Sequence, residues 1–180
     1  MFAKSTKFSL KGTLDSQMSE LNALRASDPV KCCTLFKLGD ELIQLAASGQ
    51  LRKIVQRVNS VEDGDVFFYF VAKMLHSALI NGHLMIATFI LDQGYPLHSS
   101  VVPNVLLETL EVVDDTLAIL IIEFLVLANG VDVNSQVSNT YMPLGYLSTT
   151  RSMYNDLIMA ILTLIPISNR LKSPILQLSI

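Results

Sequence analysis

The feature that most constrains this chain is a glycine that returns with similar surroundings further along the sequence. Gly49 stands in "LAASGQLRKIV" and Gly82 in "SALINGHLMIA", and each is followed two positions later by leucine. We call the separation along the chain from Gly49 to Gly82 the repeat spacing. Gly94 and Gly130 form a second pair with a wider separation, which indicates a third unit with about three extra residues. A period of this size is typical of repeat proteins, whose units bury their apolar faces against one another.

Between these glycines the apolar residues follow the period of an α-helix. Residues 68–80, "FYFVAKMLHSALI", and 83–93, "HLMIATFILDQ", predict two short helices. Gly82 and Gly94 are expected to end them, because glycine adopts the left-handed conformation that other residues resist. Such short helices are marginal alone in water, so stacked pairs must supply their stability. The prediction is an all-α fold, a short solenoid of stacked helix-turn-helix repeats.

The segment "KMLHSALINGHLMIATFILDQGYPLH" resembles an ankyrin repeat. It matches the family pattern at Leu75, His76, Ala78, Gly82, His83, Leu84, Phe89, Ile90, Leu91 and Gly94. Weaker matches lie in "AASGQL", "LVLANGVDVN" and "MPLGYL", so the resemblance covers roughly residues 38 to 165. It implies a non-catalytic adaptor that binds other proteins through a concave surface of inner helices and finger tips. It also implies that His76 hydrogen-bonds loop backbone and stacks between repeats.

The sequence departs from the ankyrin pattern at several places. Lys73 and Met142 replace the usual threonine, and Gly145 and Leu147 replace a histidine and an alanine. The third unit has no clear start motif, and the fourth lacks the usual closing motif. The matches therefore predict about four units, and the departures indicate that these units are degenerate.

Domain boundaries follow from this division. The prediction is an N-terminal tail or partly helical cap over 1–37, an ankyrin-like domain over 38–168 and an irregular C-terminal tail over 169–180. The four units are expected near 39–66, 67–101, 102–138 and 139–168.

Two apolar runs and the N-terminus bear on membrane association. Residues 116–128, "TLAILIIEFLVLA", are too few for a spanning helix, which needs about 20 apolar residues. The run at 157–167 is shorter and contains Pro166. Both predict buried core helices. The segment 1–14 faintly resembles a transit peptide, but it lacks arginine and a long apolar centre, and a flexible tail is the preferred interpretation.

Cysteine content and charge indicate the cellular compartment and the class of partner. Cys32 and Cys33 are adjacent, which disfavours a bridge between them and predicts a reduced, intracellular and cytoplasmic chain, with the nucleus left open. Residues 61–150 carry ten Asp or Glu against Lys73 alone. This charge disfavours nucleic acid and favours proteins with basic surfaces, although a solvated acidic face is an equal interpretation. No membrane span is expected, and the apolar C-terminal edge suggests a larger complex that covers it.

No residue pattern predicts catalysis, a metal or a cofactor. His76 and His83 lack converging partners for a metal, and the acids of 61–68 do not have calcium-loop spacing. Asp63-Gly64 instead predicts a tight turn, and Asp114 or Asp115 a cap for the helix near Thr116. Nucleophile-elbow, P-loop, dinucleotide and zinc-protease motifs are absent from the sequence.

The candidate contact residues lie at predicted finger tips and along an aromatic run. Because Phe67, Phe68, Tyr69 and Phe70 are consecutive, they cannot all face one core, and at least one is expected to reach solvent or a partner. The predicted partner-binding residues are Asp63, Asp65, Phe68, Tyr69, Ser99, Ser135, Gln136, Asn139 and Tyr141. The alternatives are a membrane-associated or organelle-targeted protein and an enzyme with an unrecognised site.

Overall fold

A computed structural model describes residues 7–10, 12–62, 64–97, 109 and 113–130. This part of the chain is mostly helical with little strand, which confirms the all-α prediction at the level of fold class. Its elements are β1 (Phe8–Ser9), α1 (Leu14–Ser27), α2 (Pro29–Ala47), α3 (Leu51–Asn59), β2 (Val66–Phe67), α4 (Phe68–Ile80), α5 (Leu84–Asp92), α6 (Asp115–Ile122) and a π-helix (Glu123–Ala128). Among these helices none is long and apolar enough to cross a bilayer.

Side-chain caps fix where the first two helices begin. Thr13 and Ser16 exchange hydrogen bonds at the start of α1, with the Ser16 backbone N 3.0 Å from Thr13 Oγ1 and the Thr13 backbone N 2.9 Å from Ser16 Oγ. Asp28 caps α2 by accepting from the backbone N of Lys31 at 2.9 Å, and Pro29 occupies the first turn. Each cap satisfies an N–H that has no partner inside its helix. α2 runs without a break through residue 37, where the predicted tail or cap would end.

Helix α4 lies at the centre of the described core and packs against α1, α2 and α5. Gly39 of α2 lies against the Phe70 ring of this helix, because a Cβ built at position 39 would overlap that ring. The Phe70 ring is almost fully buried and stands edge-on to the ring of Phe36 at 5.4 Å. The absence of a side chain at Gly39 therefore sets the distance between the two helices.

Replacing Gly39 by alanine should destabilise the protein by about 1–3 kcal/mol, because the added methyl group overpacks a buried contact. Alanine normally stabilises a helix interior relative to glycine, so the sign itself is diagnostic. Urea denaturation measures the change, with Gln44→Ala at an exposed position of the same helix as the control. An unchanged or raised stability for Gly39→Ala would contradict this packing.

The α2–α3 and α4–α5 pairs are joined by the same turn. Ser48 and Asn81 have φ, ψ of −97°, 7° and −105°, 8°, and Gly49 and Gly82 have φ of 73° and 72°. The backbone N atoms of these glycines donate to Ala46 O at 3.3 Å and Leu79 O at 2.9 Å. The two helices predicted around Gly82 are confirmed, since α4 and α5 occupy 68–80 and 84–92.

The turns also contact the unit that follows. His83 packs its ring on the first turn, where a Cβ added to Gly49 would lie 2.8 Å from His83 Cε1, and its Nε2 lies 3.1 Å from the Ala47 carbonyl oxygen. Leu117 of α6 packs on the second turn, 3.4 Å from a Cβ added at Gly82. Each contact thus joins a turn to a side chain from the helical segment that comes next along the described chain.

The burial of α2 and α4 recurs at the repeat spacing. Positions separated by this spacing are buried in both helices: Leu35 and Phe68, Leu38 and Val71, Gly39 and Ala72, Leu42 and Leu75, Ala46 and Leu79. Other pairs of positions at the repeat spacing differ in character. The first residue of each pair is charged and lies on α2 or α3, and the second is apolar and buried on α4 or α5: Lys37 and Phe70, Glu41 and Met74, Lys53 and Ile86, Arg57 and Ile90. We call the surface formed by Lys37, Glu41, Lys53 and Arg57 the charged end face. The Arg57 Nε–Glu41 Oε2 ion pair at 2.8 Å lies on it.

Helix α6 and the π-helix repeat the pattern of α5 with extra residues. Asp114 caps α6 by accepting from the Leu117 backbone N at 2.9 Å, as the sequence predicted. The burial of residues in this segment matches that in α5 at one constant offset along the sequence. Ile121 and Leu125 are fully buried like Ile86 and Ile90, and Leu120 is exposed like Met85. The closing glycines, Gly94 and Gly130, are offset by one position more. The additional residue falls within the π-helix, a conformation that accommodates single insertions.

Residues 7–10 pack against the core, so the flexible tail expected over 1–14 does not describe this part of the segment. β1 pairs in parallel with β2, with Phe8 opposite Val66 and Ser9 opposite Phe67. Phe8 is 2% exposed. Its position among buried residues ties the start of the described chain to α4 and β2.

Replacing Gly49 by alanine should cost more stability than replacing Gly94. Both glycines have positive φ, a conformation that costs other residues about 1–2 kcal/mol. Position 94 has open space around it, whereas a methyl group at 49 would also press on the His83 ring. Urea denaturation of Gly49→Ala and Gly94→Ala measures the difference, which should shrink in a His83→Ala background. Equal costs for the two variants would show that the turn at Gly49 does not press on the following unit.

Candidate protein-interaction surface

The consecutive aromatic residues divide as their spacing predicted. Phe67, Phe68 and Phe70 are buried, and Tyr69 alone among the four is partly exposed. Phe68 begins α4, and its backbone N–H donates to Gln17 Oε1 at 2.6 Å. Phe67 at the end of β2, and Phe68 and Phe70 on α4, thus turn into the protein, and Tyr69 of α4 is left at the surface.

Tyr69 forms a partly exposed aromatic pair with Phe36 of α2. The two ring centroids lie 6.5 Å apart with planes at 55°, and both rings also contact Phe70, each at 5.4 Å. Tyr69 and Phe36 are themselves separated by the repeat spacing, so they occupy equivalent positions on neighbouring helices. The buried Phe70 ring holds both exposed rings in place, which limits the entropy they lose on binding.

A lysine completes this surface. The Nζ atom of Lys73 lies 5.1 Å from the centre of the Tyr69 ring, one helical turn further along α4. An ammonium group over an aromatic face is held by the ring quadrupole, worth about 0.5–1 kcal/mol at an exposed site. We call Phe36, Tyr69 and Lys73 the aromatic face. It offers two rings and one positive charge on adjacent helices.

The other predicted contact residues fare differently. Asp65 is half-exposed just before β2 and stays a candidate. Phe68 is 2% exposed, so it cannot touch a partner while the core is intact, and we remove it from the contact surface. Asp63, Ser99, Ser135, Gln136, Asn139 and Tyr141 lie outside the described residues.

Among the described residues, His83 makes the histidine-to-backbone hydrogen bond that the ankyrin resemblance implied for His76. His76 is half-buried on α4, and its Nε2 has no hydrogen-bond partner among the described residues, so the expected bond from this atom to loop backbone is not found there. His83 makes that kind of contact instead, with the carbonyl of Ala47. Because a carbonyl oxygen only accepts, His83 Nε2 carries the proton. His98 lies outside the described residues.

Three exposed acidic residues lie on or beside the later helices: Asp92 at the end of α5, Asp114 before α6 and Glu123 at the start of the π-helix. Among the residues that the structure describes, no three His, Cys, Asp or Glu side chains converge as metal ligands. Gly64 has a φ of 87°, which fits the predicted turn there.

No protein-family model, no curated protein and no solved structure matches this chain.

Tyr69 and Phe70 are neighbours in sequence, but one is partly exposed and the other is buried, so their alanine variants should lose different amounts of stability. Phe70→Ala removes a buried ring and should cost about 3–5 kcal/mol. Tyr69→Ala should cost about 1 kcal/mol, because a partly exposed ring has less apolar area to lose from the folded structure. Thermal and urea unfolding measure both changes. Equal losses would mean that Tyr69 serves the core and is not free for a partner.

Proposed function

We propose that the protein is an ankyrin-like protein-binding module without catalytic activity. It binds a protein partner through the aromatic face and the adjoining segment around Asp65. The observation that carries the proposal is the recurrence of one helix pair, with the same turn and the same buried positions, at the repeat spacing.

The contacts between successive turns support a stacked array. His83 rests on the turn of Gly49, and Leu117 rests on the turn of Gly82, so each unit packs on the one before. The charged end face supports the same interpretation. An array needs a polar surface where stacking stops, and the α2–α3 pair has charges where the α4–α5 pair has buried apolar residues.

The aromatic face is the part of this array best suited to a partner. Aromatic side chains dominate binding energy at interfaces because they bury a large area with little loss of rotamer freedom. Phe36 and Tyr69 lie on the first helices of neighbouring units, and Phe70 braces both rings from below. A partner would therefore meet a preformed surface.

Charge indicates the character of that partner. Lys73 is the sole lysine or arginine between positions 61 and 150, whereas Asp65, Asp92, Asp114 and Glu123 lie at or near the surface. A partner with a basic surface that also offers an apolar or acidic group to the aromatic face fits this distribution. Association should then slow as salt is added.

An intracellular, cytoplasmic location belongs to the proposal. Cys32 is buried and Cys33 is exposed, and both are free thiols. An exposed free thiol persists best in a reducing compartment.

Site-directed photo-cross-linking tests the proposed surface. A benzophenone amino acid placed at Tyr69 should cross-link a partner in cells, whereas the same group at Met85 should not. Met85 is a suitable control because it is 72% exposed on α5, outside the aromatic face. Tyr69→Ala should weaken binding of that partner by about tenfold or more, the usual effect of losing an aromatic anchor.

The full-length variants should remain folded by circular dichroism in this comparison. A partner that cross-links equally at positions 69 and 85, or binds Tyr69→Ala as tightly as the unaltered chain, would refute the aromatic face as the contact surface.

A further inference from the structure

The segment Lys7–Leu10 lies in a seat built from β2, α1 and α5. Its backbone is held by two hydrogen bonds to the Lys7 carbonyl oxygen, from the backbone N of Gly64 at 3.1 Å and of Val66 at 3.4 Å. Lys7 Nζ donates to the Val61 carbonyl oxygen at 2.9 Å. These contacts are those of an extended peptide added to the edge of a strand.

Side chains give the seat its selectivity. Phe8 is buried, with its ring edge-on to Phe89 of α5 at 6.2 Å and 88°. Gln17 of α1 is 2% exposed, and its Nε2 donates to the Ser9 carbonyl oxygen at 2.7 Å and lies 3.2 Å from Ser9 Oγ. The same amide accepts from the Phe68 N–H through Oε1. Gln17 thus joins the segment to the start of α4.

An empty seat would be unfavourable. Without the segment, the pocket of Phe8 would be void, and a buried amide group of Gln17 would lose its bond to Ser9. The segment is followed by residues 11 and 12, after which Thr13 caps α1. Phe8 is its one buried side chain, whereas Lys7, Ser9 and Leu10 are partly exposed, so displacing the segment would withdraw one large ring from the core.

We propose that this seat is a recognition site for the sequence Lys7–Leu10, and that it accepts the segment from a second copy of the chain when the chain's own segment is displaced. Exchange makes the same contacts in both arrangements, so its cost is mainly that of association. In the unaltered chain the attached segment has the advantage of a high effective concentration. A second copy is the occupant we infer because its residues are identical to those seated here.

Two complementary full-length variants test the exchange. Phe8→Ala disables the segment and keeps the seat, whereas Gln17→Leu damages the seat and keeps the segment. Mixed in equal amounts, they should form a complex with one copy of each in analytical ultracentrifugation. Phe8→Ala alone should stay monomeric. A mixture of Phe8→Ala with a Phe8→Ala, Gln17→Leu double variant should also stay monomeric, because it holds no intact segment.

A peptide of residues 6–11, "TKFSLK", gives an independent measurement. It should bind the Phe8→Ala chain saturably in fluorescence anisotropy, and about tenfold or more weakly to the unaltered chain and to Met85→Ala, whose own segments compete. A peptide with alanine in place of Phe8 should lose binding by a similar factor. If Phe8→Ala is unfolded alone, the peptide should restore its helical circular dichroism.

The proposal is overturned if the complementary variants do not associate and the peptide neither binds nor refolds the Phe8→Ala chain. It is also overturned if a scrambled peptide binds as tightly, because the seat would then not recognise this sequence. Both results are independent of whether the aromatic face binds a partner.

Discussion

The contact between Gly39 and Phe70 is the constraint on which the rest of the described structure depends. It lets α2 approach α4 closely, and it places the Phe70 ring between the two helices. That ring in turn supports Phe36 and Tyr69, the partly exposed rings of the aromatic face. The surface proposed for binding therefore lies directly over the contact between α2 and α4, and any change in helix spacing would move both partly exposed rings.

The turns supply the second level of organisation. A positive-φ glycine at each turn leaves no side chain above the backbone, and the following unit fills that space with His83 or Leu117. These two residues differ chemically, since one adds a hydrogen bond to Ala47 and the other only apolar contact. The two turns thus share one backbone geometry, while the side chains that lie over their glycines differ in chemistry.

Local sequence rules predicted the helices around Gly82 and the cap at Asp114, because these features depend on residues a few positions apart. They also predicted that the aromatic run would leave one ring outside. They did not predict the burial of Phe8, the bridge made by Gln17 or the contact of His83, because each joins residues that are distant along the chain. A single phenylalanine among polar residues carries no periodicity, and a glutamine on a helix of mixed composition is normally solvated. Phe68 was assigned to the surface for a related reason, since its buried ring stands edge-on to Tyr95, a residue distant along the chain.

Helix α6 and the π-helix contain one residue more before their closing glycine than α5 does before its own. Up to Leu125 the burial of α6 and the π-helix follows that of α5 at one constant offset, and at Gly130 the offset is one position longer. The backbone N of Gly94 donates to Leu91 O at 2.8 Å, and that of Gly130 donates to Val126 O at 3.0 Å. Leu91 and Val126 are related by the constant offset, but Gly130 lies one residue further from its acceptor than Gly94 does.

Ile121 and Leu125 occupy the buried positions of Ile86 and Ile90, and the wider π-helical turn takes up the extra residue between Leu125 and the closing glycine. Asn129 contributes a side-chain bond from Nδ2 to Phe124 O at 2.5 Å. In an ordinary α-helix, one extra residue would rotate every position after it by about 100°, the angle per residue. The local change in helix type therefore lets Gly130 close its helix at Val126, the position equivalent to the Leu91 acceptor of Gly94.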